Sequence, residues 1–153
     1  MNRRTLLKRT LTVSVVSIAA TAGLLSPGKV LAAYPKAAFE AKDSAGALTG
    51  ALGTGNFEDS NEIKIKAPDI AENGSVVPVT VQSSLANVES IVILSEANGT
   101  PLVASFNLIG SEAYVSTRIK MGKTGNVLAV VKSGGKLYAN KKEVKVTIGG
   151  CGG

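Results

Sequence analysis

A single cysteine carries the most reactive side chain of this 153-residue chain, and it lies among glycines. Cys151 follows Gly149 and Gly150 and precedes Gly152 and Gly153. Glycine has no Cβ and accepts both signs of φ, so it leaves a neighbouring thiol mobile and unobstructed. Five extended residues reach about 16–18 Å. The pattern predicts a thiol on a thin arm that enters a narrow cleft in another protein.

The sequence around Cys151 does not indicate an activated nucleophile. A thiol becomes reactive beside a histidine, a helix N-terminus or a fixed cation, and the neighbouring residues supply none of these. The negative charge of the Gly153 carboxylate disfavours the thiolate instead. We therefore predict a carrier that holds cargo while other proteins act on it. An intermolecular disulfide, which a lone cysteine in an exported protein often forms, is the alternative.

The residue types that the chain lacks exclude several kinds of chemistry. There is no histidine, which excludes Ser-His-Asp and Cys-His pairs and histidine-ligated metal sites. One cysteine forms neither an internal disulfide nor a redox pair. The acidic residues are scattered and show no calcium-loop spacing. We predict no enzymatic activity, no metal site and no cofactor.

The N-terminal residues have the pattern of an export signal. Arg3 and Arg4 open a basic segment, an apolar run covers residues 11–25, and Val30–Ala32 offers a signal-peptidase site. The arginine pair resembles the twin-arginine signal of proteins exported in the folded state; an ordinary secretory signal is the alternative. The apolar run falls short of the ~20 residues that span a bilayer. We predict a twin-arginine signal peptide over residues 1–32, a periplasmic protein and no membrane anchor.

The net charge of +6 arises in that signal segment. Residues 1–32 contain five of the 17 basic residues and no acidic residue, which leaves 12 basic against 11 acidic residues in the rest of the chain. A nearly neutral chain gives no electrostatic reason to bind a polyanion. We predict no nucleic-acid partner.

Residues 33–56 differ in composition from the residues that follow them. They are rich in alanine, and the spacing of their apolar residues predicts a helix over about Pro35–Leu48. A glycine-rich linker follows over Gly50–Asn56. We assign residues 57–148 to a β-sandwich and residues 149–153 to the carrier arm.

Apolar and polar residues alternate from Glu62 onward, as in strands with one buried face. Pairs of turn-forming residues separate the alternating segments, and Gly134-Gly135 suits a two-residue hairpin. Pro78 fits an edge strand or a bulge better than a central position. Seven or eight short strands predict an all-β fold, an immunoglobulin-like antiparallel β-sandwich.

Two segments are apolar on both faces, which the alternating pattern does not explain. They are Ile91–Leu94 and Val127–Val131. An antiparallel sheet usually leaves one face to water, so something must cover the second face of these strands. The N-terminal helix is one candidate and a second protein is another, and the two are compatible with each other.

The segment IKAPDIAENGSVVPV at residues 65–79 and the terminal GGCGG together resemble the SoxY family. Members of that family are the sulfur-carrier subunits of the bacterial sulfur-oxidation (Sox) system. The resemblance covers essentially the whole chain, and it implies an immunoglobulin-like fold and a heterodimer with a SoxZ-like subunit. It also implies that Cys151 carries sulfur covalently and that the four glycines around it form a swinging arm.

The same resemblance implies transient partners in periplasmic thiosulfate oxidation. A haem-containing enzyme oxidatively joins thiosulfate to the cysteine as an S-thiosulfonate, a hydrolase releases sulfate, and a sulfur dehydrogenase oxidises the remaining sulfane sulfur. The doubly apolar strands are then candidates for the contact with the SoxZ-like subunit. The alternative function is an exported immunoglobulin-like interaction module whose terminal cysteine forms an intermolecular disulfide.

Overall fold

A computed structural model describes residues 35–147. Within that range the chain forms two helices and nine strands, and neither helix is long and apolar enough to cross a bilayer. Their bounds are α1 Lys36–Glu40, α2 Ser44–Leu52, β1 Glu58–Asp59, β2 Ile63–Lys66, β3 Ile70–Ala71, β4 Val77–Ser83, β5 Val88–Ser95, β6 Leu102–Asn107, β7 Tyr114–Ile119, β8 Gly125–Ser133 and β9 Lys136–Val146.

The strands form two sheets. The larger sheet has the order β1-β9-β8-β5-β6, with β3 also beside β9, and the smaller sheet has the order β2-β4-β7. The long pairings are antiparallel, so the predicted all-β sandwich is confirmed. The two-residue strands β1 and β3 pair with β9 in parallel, which the prediction of a purely antiparallel fold did not include.

The core between the two sheets is built by the alternating residues of every long strand. From the smaller sheet it takes valines and isoleucines, among them Ile63, Val79 and Ile119. From the larger sheet it takes one face of the doubly apolar strands, including Ile91 and Val131. Burying such side chains contributes about 1.5–3 kcal/mol each before the entropy of ordering the chain is counted.

The two helices cover the other face of the larger sheet. A second core cluster joins buried residues of both helices to outward side chains of the doubly apolar strands and of β6 and β9. Its members are Ala38, Ala47, Leu48, Val92, Leu94, Leu102, Leu128, Val130, Leu137 and Ala139. The helical segment is therefore one of the two predicted covers, and the structure shows it in place. Contact of this side of the sheet with a SoxZ-like subunit stays a prediction, and it would involve the helices, because the strand side chains are already buried beneath them.

The single helix predicted over 35–48 is two helices. α1 stops at Glu40 because Ala41 adopts an extended conformation (φ −58°, ψ 143°). Asp43 then begins α2: its carboxylate accepts a hydrogen bond from the Gly46 backbone N–H at 2.7 Å, which satisfies a free donor of the first turn. α2 continues past the predicted end to Leu52. The glycine-rich stretch therefore contributes its first residues to the helix and its later ones to the linker.

Two glycines explain why α2 runs through that stretch and where it ends. Gly50 packs against α1 so closely that a Cβ there would lie 2.8 Å from the Ala38 Cα. Gly53 ends the helix in the left-handed conformation (φ 84°), and its N–H donates to the Thr49 carbonyl at 2.9 Å. The first glycine permits a close contact between helices, and the second permits a turn.

The predicted hairpin at Gly134-Gly135 joins β8 to β9, and both glycines have positive φ (55° and 78°). Such a turn matches the twist of the flanking strands and strongly favours glycine. Glu89 of β5 secures the turn, since it accepts from the Gly135 N–H at 3.1 Å and pairs with Lys132 at 3.0 Å. The hydrogen bond from Lys132 and the one from Gly135 lower the pKa of Glu89.

Pro78 lies in β4, the middle strand of the smaller sheet, at a position where β4 has a neighbouring strand on one side only. β4 pairs with β7 along its whole length, including Pro78 opposite Arg118. The pairing of β4 with β2 begins only at Thr80, opposite Lys66. One side of the backbone at Pro78 is therefore unpaired, as a residue without an N–H requires.

Candidate functional site

The residues that the sequence singled out lie outside the described range. These are Cys151, the glycines Gly149, Gly150, Gly152 and Gly153, and the export-signal arginines Arg3 and Arg4. What the structure describes is the point from which the C-terminal residues leave the sandwich. That point is the end of β9, at Val146 and Thr147.

The end of β9 is held from both sides. On the β8 side, the Val146 N–H donates to the Thr124 hydroxyl at 2.9 Å, and the same hydroxyl lies 3.4 Å from the Val146 carbonyl oxygen. On the β3 side, the Thr147 N–H donates to the Ala71 carbonyl at 3.1 Å. Each such bond contributes on the order of 1 kcal/mol. The fixed part of the chain therefore reaches Thr147, four residues before Cys151.

A close backbone contact fixes the loop beside this end. The Met121 N–H donates to the Gly74 carbonyl at 2.7 Å. A Cβ at Gly74 would collide with the Met121 carbonyl oxygen and would lie 2.8 Å from a methyl group of Val146. Gly74 belongs to the segment that carried the family resemblance, and its role there is to let three parts of the chain meet.

Three lysines from distant parts of the sequence line one surface pocket next to that loop. They are Lys42, between the two helices, and Lys120 and Lys123, in the β7–β8 connection. Asn98 and Thr100 from the β5–β6 turn line the same pocket. The sequence pattern does not reveal this cluster, because no local spacing relates Lys42 to residues 78 and 81 positions later.

The outer face of the smaller sheet forms a second, shallow groove. Lys64 and Lys66 of β2, Thr80 and Gln82 of β4, and Tyr114 of β7 line it. The alternation of the strands turns these polar side chains outward, while their neighbours fill the core. Unlike the larger sheet, this sheet has no helix over its outer face within residues 35–147.

The described residues provide few groups for acid–base or metal chemistry. Residues 35–147 contain no cluster of three or more histidine, cysteine, aspartate or glutamate side chains that could hold a metal ion. Over the same range the carboxyl with a perturbed pKa is Glu89, which is exposed and ties the β8–β9 hairpin. The ligand-binding feature described near the end of β9 is the positive charge of Lys120 and Lys123.

The chain is similar to one protein family and to several solved structures. The family model of the sulfur oxidation protein SoxY matches residues 48–151, a range that includes the cysteine. The structure of the sulfur carrier protein SoxY from Chlorobium limicola f thiosulfatophilum is 47% identical, with a TM-score of 0.61, and the match covers 67% of this chain and 94% of that one.

A more distant solved structure is similar in fold alone. It is the superoxide reductase (neelaredoxin) from Ignicoccus hospitalis, which is 21% identical with a TM-score of 0.51 over 57% of this chain and 81% of its own. Comparison with curated protein sequences gives no significant match. The extent of the family match and the 47% identity over nearly the whole of a solved relative show that this chain belongs to the SoxY family.

Proposed function

We propose that this chain is a non-catalytic sulfur carrier in periplasmic thiosulfate oxidation, with Cys151 as the attachment site. The observation that carries the proposal is the family match, which extends to residue 151 and so includes the lone cysteine among its glycines. The related structure from Chlorobium limicola is described as a sulfur carrier protein. The same chemistry suits this chain, because sulfur joined to a cysteine through an S–S bond stays exchangeable by thiolate attack.

The described structure supports a division between a rigid body and a reaching arm. Hydrogen bonds hold β9 up to Thr147, and four extended residues span about 13–14 Å from there to Cys151. Gly149, Gly150, Gly152 and Gly153 keep that span narrow, since they add no side chains. A covalent tether also raises the local concentration of cargo at each docked enzyme.

The proposed cycle uses other proteins for each reaction. A haem-containing enzyme takes up two electrons as the Cys151 sulfur and thiosulfate form the S–S bond of the S-thiosulfonate. A hydrolase then adds water to the terminal sulfonate and releases sulfate, which leaves a persulfide on the carrier. A sulfur dehydrogenase oxidises that sulfane sulfur, with water as the oxygen source, and hydrolysis releases a second sulfate.

The assignment of the remaining segments follows from this function. We propose a twin-arginine signal over residues 1–32 with Arg3 and Arg4 as its recognition pair, a helical segment and linker over 33–56, the sandwich over 57–148 and the arm over 149–153. A SoxZ-like subunit would form the heterodimer, and the folded pair would cross together into the periplasm. The docking of the Sox enzymes would be transient, since one carrier visits several of them.

The intact mass of the exported protein, purified without reductant from cells oxidising thiosulfate, tests the proposal. We expect a sulfur-containing adduct that maps to Cys151 and disappears after reduction. Cys151→Ser should keep the fold and lose the adduct completely. A double variant, Cys151→Ser with Ser111→Cys, is the matched control, because it keeps one thiol in an exposed loop away from the arm.

Either of two results would contradict the carrier function. The first is a bare or simply doubled mass in the wild-type protein, which would favour a structural disulfide between chains. The second is equal loading of the control variant with its thiol at position 111, which would show that the arm has no special role.

A further inference from the structure

The pocket of Lys42, Lys120 and Lys123 is a concentrated positive site in a nearly neutral protein. All three side chains are exposed, and none forms an ion pair with a carboxylate of residues 35–147. The remaining residues that line the pocket are neutral. Like charges brought together without a counter-charge raise the local potential and attract an anion.

The backbone that carries Lys120 and leads to Lys123 is held in place. The Asn98 side chain donates to the Lys120 carbonyl at 2.8 Å and accepts from the Gly122 N–H at 2.9 Å, so one amide ties both ends of the loop segment to the β5–β6 turn. The Asn98 side chain therefore bonds to the loop backbone, and the lysine side chains remain available to a ligand.

This pocket lies beside the point where the C-terminal residues leave the sandwich. Lys123 precedes Thr124, whose hydroxyl bonds to Val146 at the end of β9. On the opposite side of β9 lies Ala71, followed by the exposed carboxylate of Glu72. An anionic group on the chain that continues after Thr147 is attracted by the lysines on one side of β9 and repelled by Glu72 on the other side.

We infer that the Lys42–Lys120–Lys123 pocket binds the anionic cargo of the carrier arm within the same chain. The inference rests on the proposed function, because it is the sulfonate of the S-thiosulfonate on Cys151 that distinguishes the loaded arm from the empty one. About 13–14 Å of extended chain reaches from Thr147 to the cysteine. The empty arm carries the Gly153 carboxylate alone, so the sulfonate adds a second negative charge and strengthens the contact with the pocket.

The expected strength of this contact suits a carrier. Exposed charge pairs are individually weak, and salt screens them beyond about 8–10 Å. The loaded arm therefore exchanges between a docked and a free position, and an enzyme that offers a stronger anion site takes the cargo. After sulfate has left, the arm no longer carries the three sulfonate oxygens that accept hydrogen bonds from lysine, and the arm is released more readily.

Amide chemical shifts of the exported protein, purified with any subunit that accompanies it, test this inference. Tetrathionate loads the cysteine without an enzyme: the thiolate attacks an inner sulfur to form Cys–S–S–SO₃⁻, and the electron pair of the broken S–S bond leaves with thiosulfate. Alkylation of the same cysteine with iodoacetamide gives a neutral comparison. We expect shifts of residues 97–100 and 120–124 in the thiosulfonate form and not in the alkylated form.

Charge variants then separate the pocket from other surfaces. Lys42→Gln, Lys120→Gln and Lys123→Gln combined should reduce those shifts several-fold, and about 0.5 M salt should reduce them in the wild type. Lys64→Gln, Lys66→Gln and Arg118→Gln make the same change in charge on the outer face of the smaller sheet and should leave the shifts intact. The salt titration of the wild type tests the inference even if the triple variant folds poorly.

Three results would overturn the inference: no shift in the loaded protein, a shift that persists in the Lys42, Lys120 and Lys123 variant, or a shift centred on residues 64–82. Chemical loading, checked by intact mass, makes this outcome independent of the Sox enzymes. Absence of an adduct in cells would instead contradict the carrier function and would leave the shift measurement interpretable on its own.

Discussion

The two sheets share one core, but within residues 35–147 the outer face of the larger sheet is covered and that of the smaller sheet is not. The outer face of the larger sheet is apolar and lies under α1 and α2, where residues such as Leu48 and Val130 are fully buried. The outer face of the smaller sheet carries Lys64, Thr80 and Arg118 and is exposed or half-exposed. The comparison shows that a strand that is apolar on both faces in this fold indicates a cover supplied by the chain itself.

The largest effect is expected on the covered face. Leu48→Ala removes a fully buried side chain from the contact between α2 and the larger sheet, and such changes cost about 2–5 kcal/mol. Tyr114→Ala is the matched change on the outer face of the smaller sheet, where the side chain is 51% exposed, and it should cost about 1 kcal/mol. Urea unfolding measures both free energies. Equal losses would show that the helices do not stabilise the sheet beneath them.

A smaller effect is expected where the two helices touch. Gly50→Ala places a Cβ 2.8 Å from the Ala38 Cα, so the helices must separate, at a cost of about 1–3 kcal/mol. Gly99→Ala is the control, because a Cβ there meets no atom within 4 Å and its φ is not positive. Thermal unfolding of both variants measures the difference. A Gly50→Ala protein as stable as the wild type would mean that this contact is not tight in solution.

The smallest effect concerns the β8–β9 hairpin, where Glu89 of β5 bonds to Lys132 and Gly135. These bonds lower the pKa of Glu89 in the folded state, so the carboxylate stabilises the fold above the pKa of an unfolded glutamate, about 4.3. That contribution is lost as the pH falls through the lower, folded value. Glu89→Gln should therefore be less stable than the wild type near neutral pH and equal to it in acid.

Unfolding midpoints of the wild type and Glu89→Gln across that pH range measure the effect. A difference between the two proteins that grows toward acid would have the wrong sign and would contradict the assignment. A difference as large as that of Leu48→Ala would show that this sheet depends on the charges at the β8–β9 hairpin as much as on its covered face.

Much of the sandwich could be predicted, because alternation is a property of neighbouring residues. The inward and outward faces of β2, β4 and β7 follow the sequence pattern residue by residue, and Gly134-Gly135 forms the predicted turn. The helical segment was predicted less well. The capping carboxylate of Asp43 and the close contact at Gly50 divide and extend it, and neither is visible in the spacing of apolar residues.

The candidate site divides in the same way. The type and spacing of Cys151 and its glycines indicate a carrier from the sequence, and the family match includes that cysteine. The anchor of β9 joins Thr124 to Val146, 22 residues away, and Thr147 to Ala71, 76 residues away. No local pattern specifies these hydrogen-bond partners, since each polar group has many possible partners until the strands have paired.

Three features can be read from the order of the residues: which residues alternate, where the hairpin turns, and that glycines flank the single cysteine. Those features depend on backbone preferences and on neighbours a few residues apart. Only the folded chain shows that the helices cover the larger sheet and that Lys42 lines the same pocket as Lys120 and Lys123. Both depend on the path of the chain between distant segments, and that path is set by the burial of two apolar faces at once.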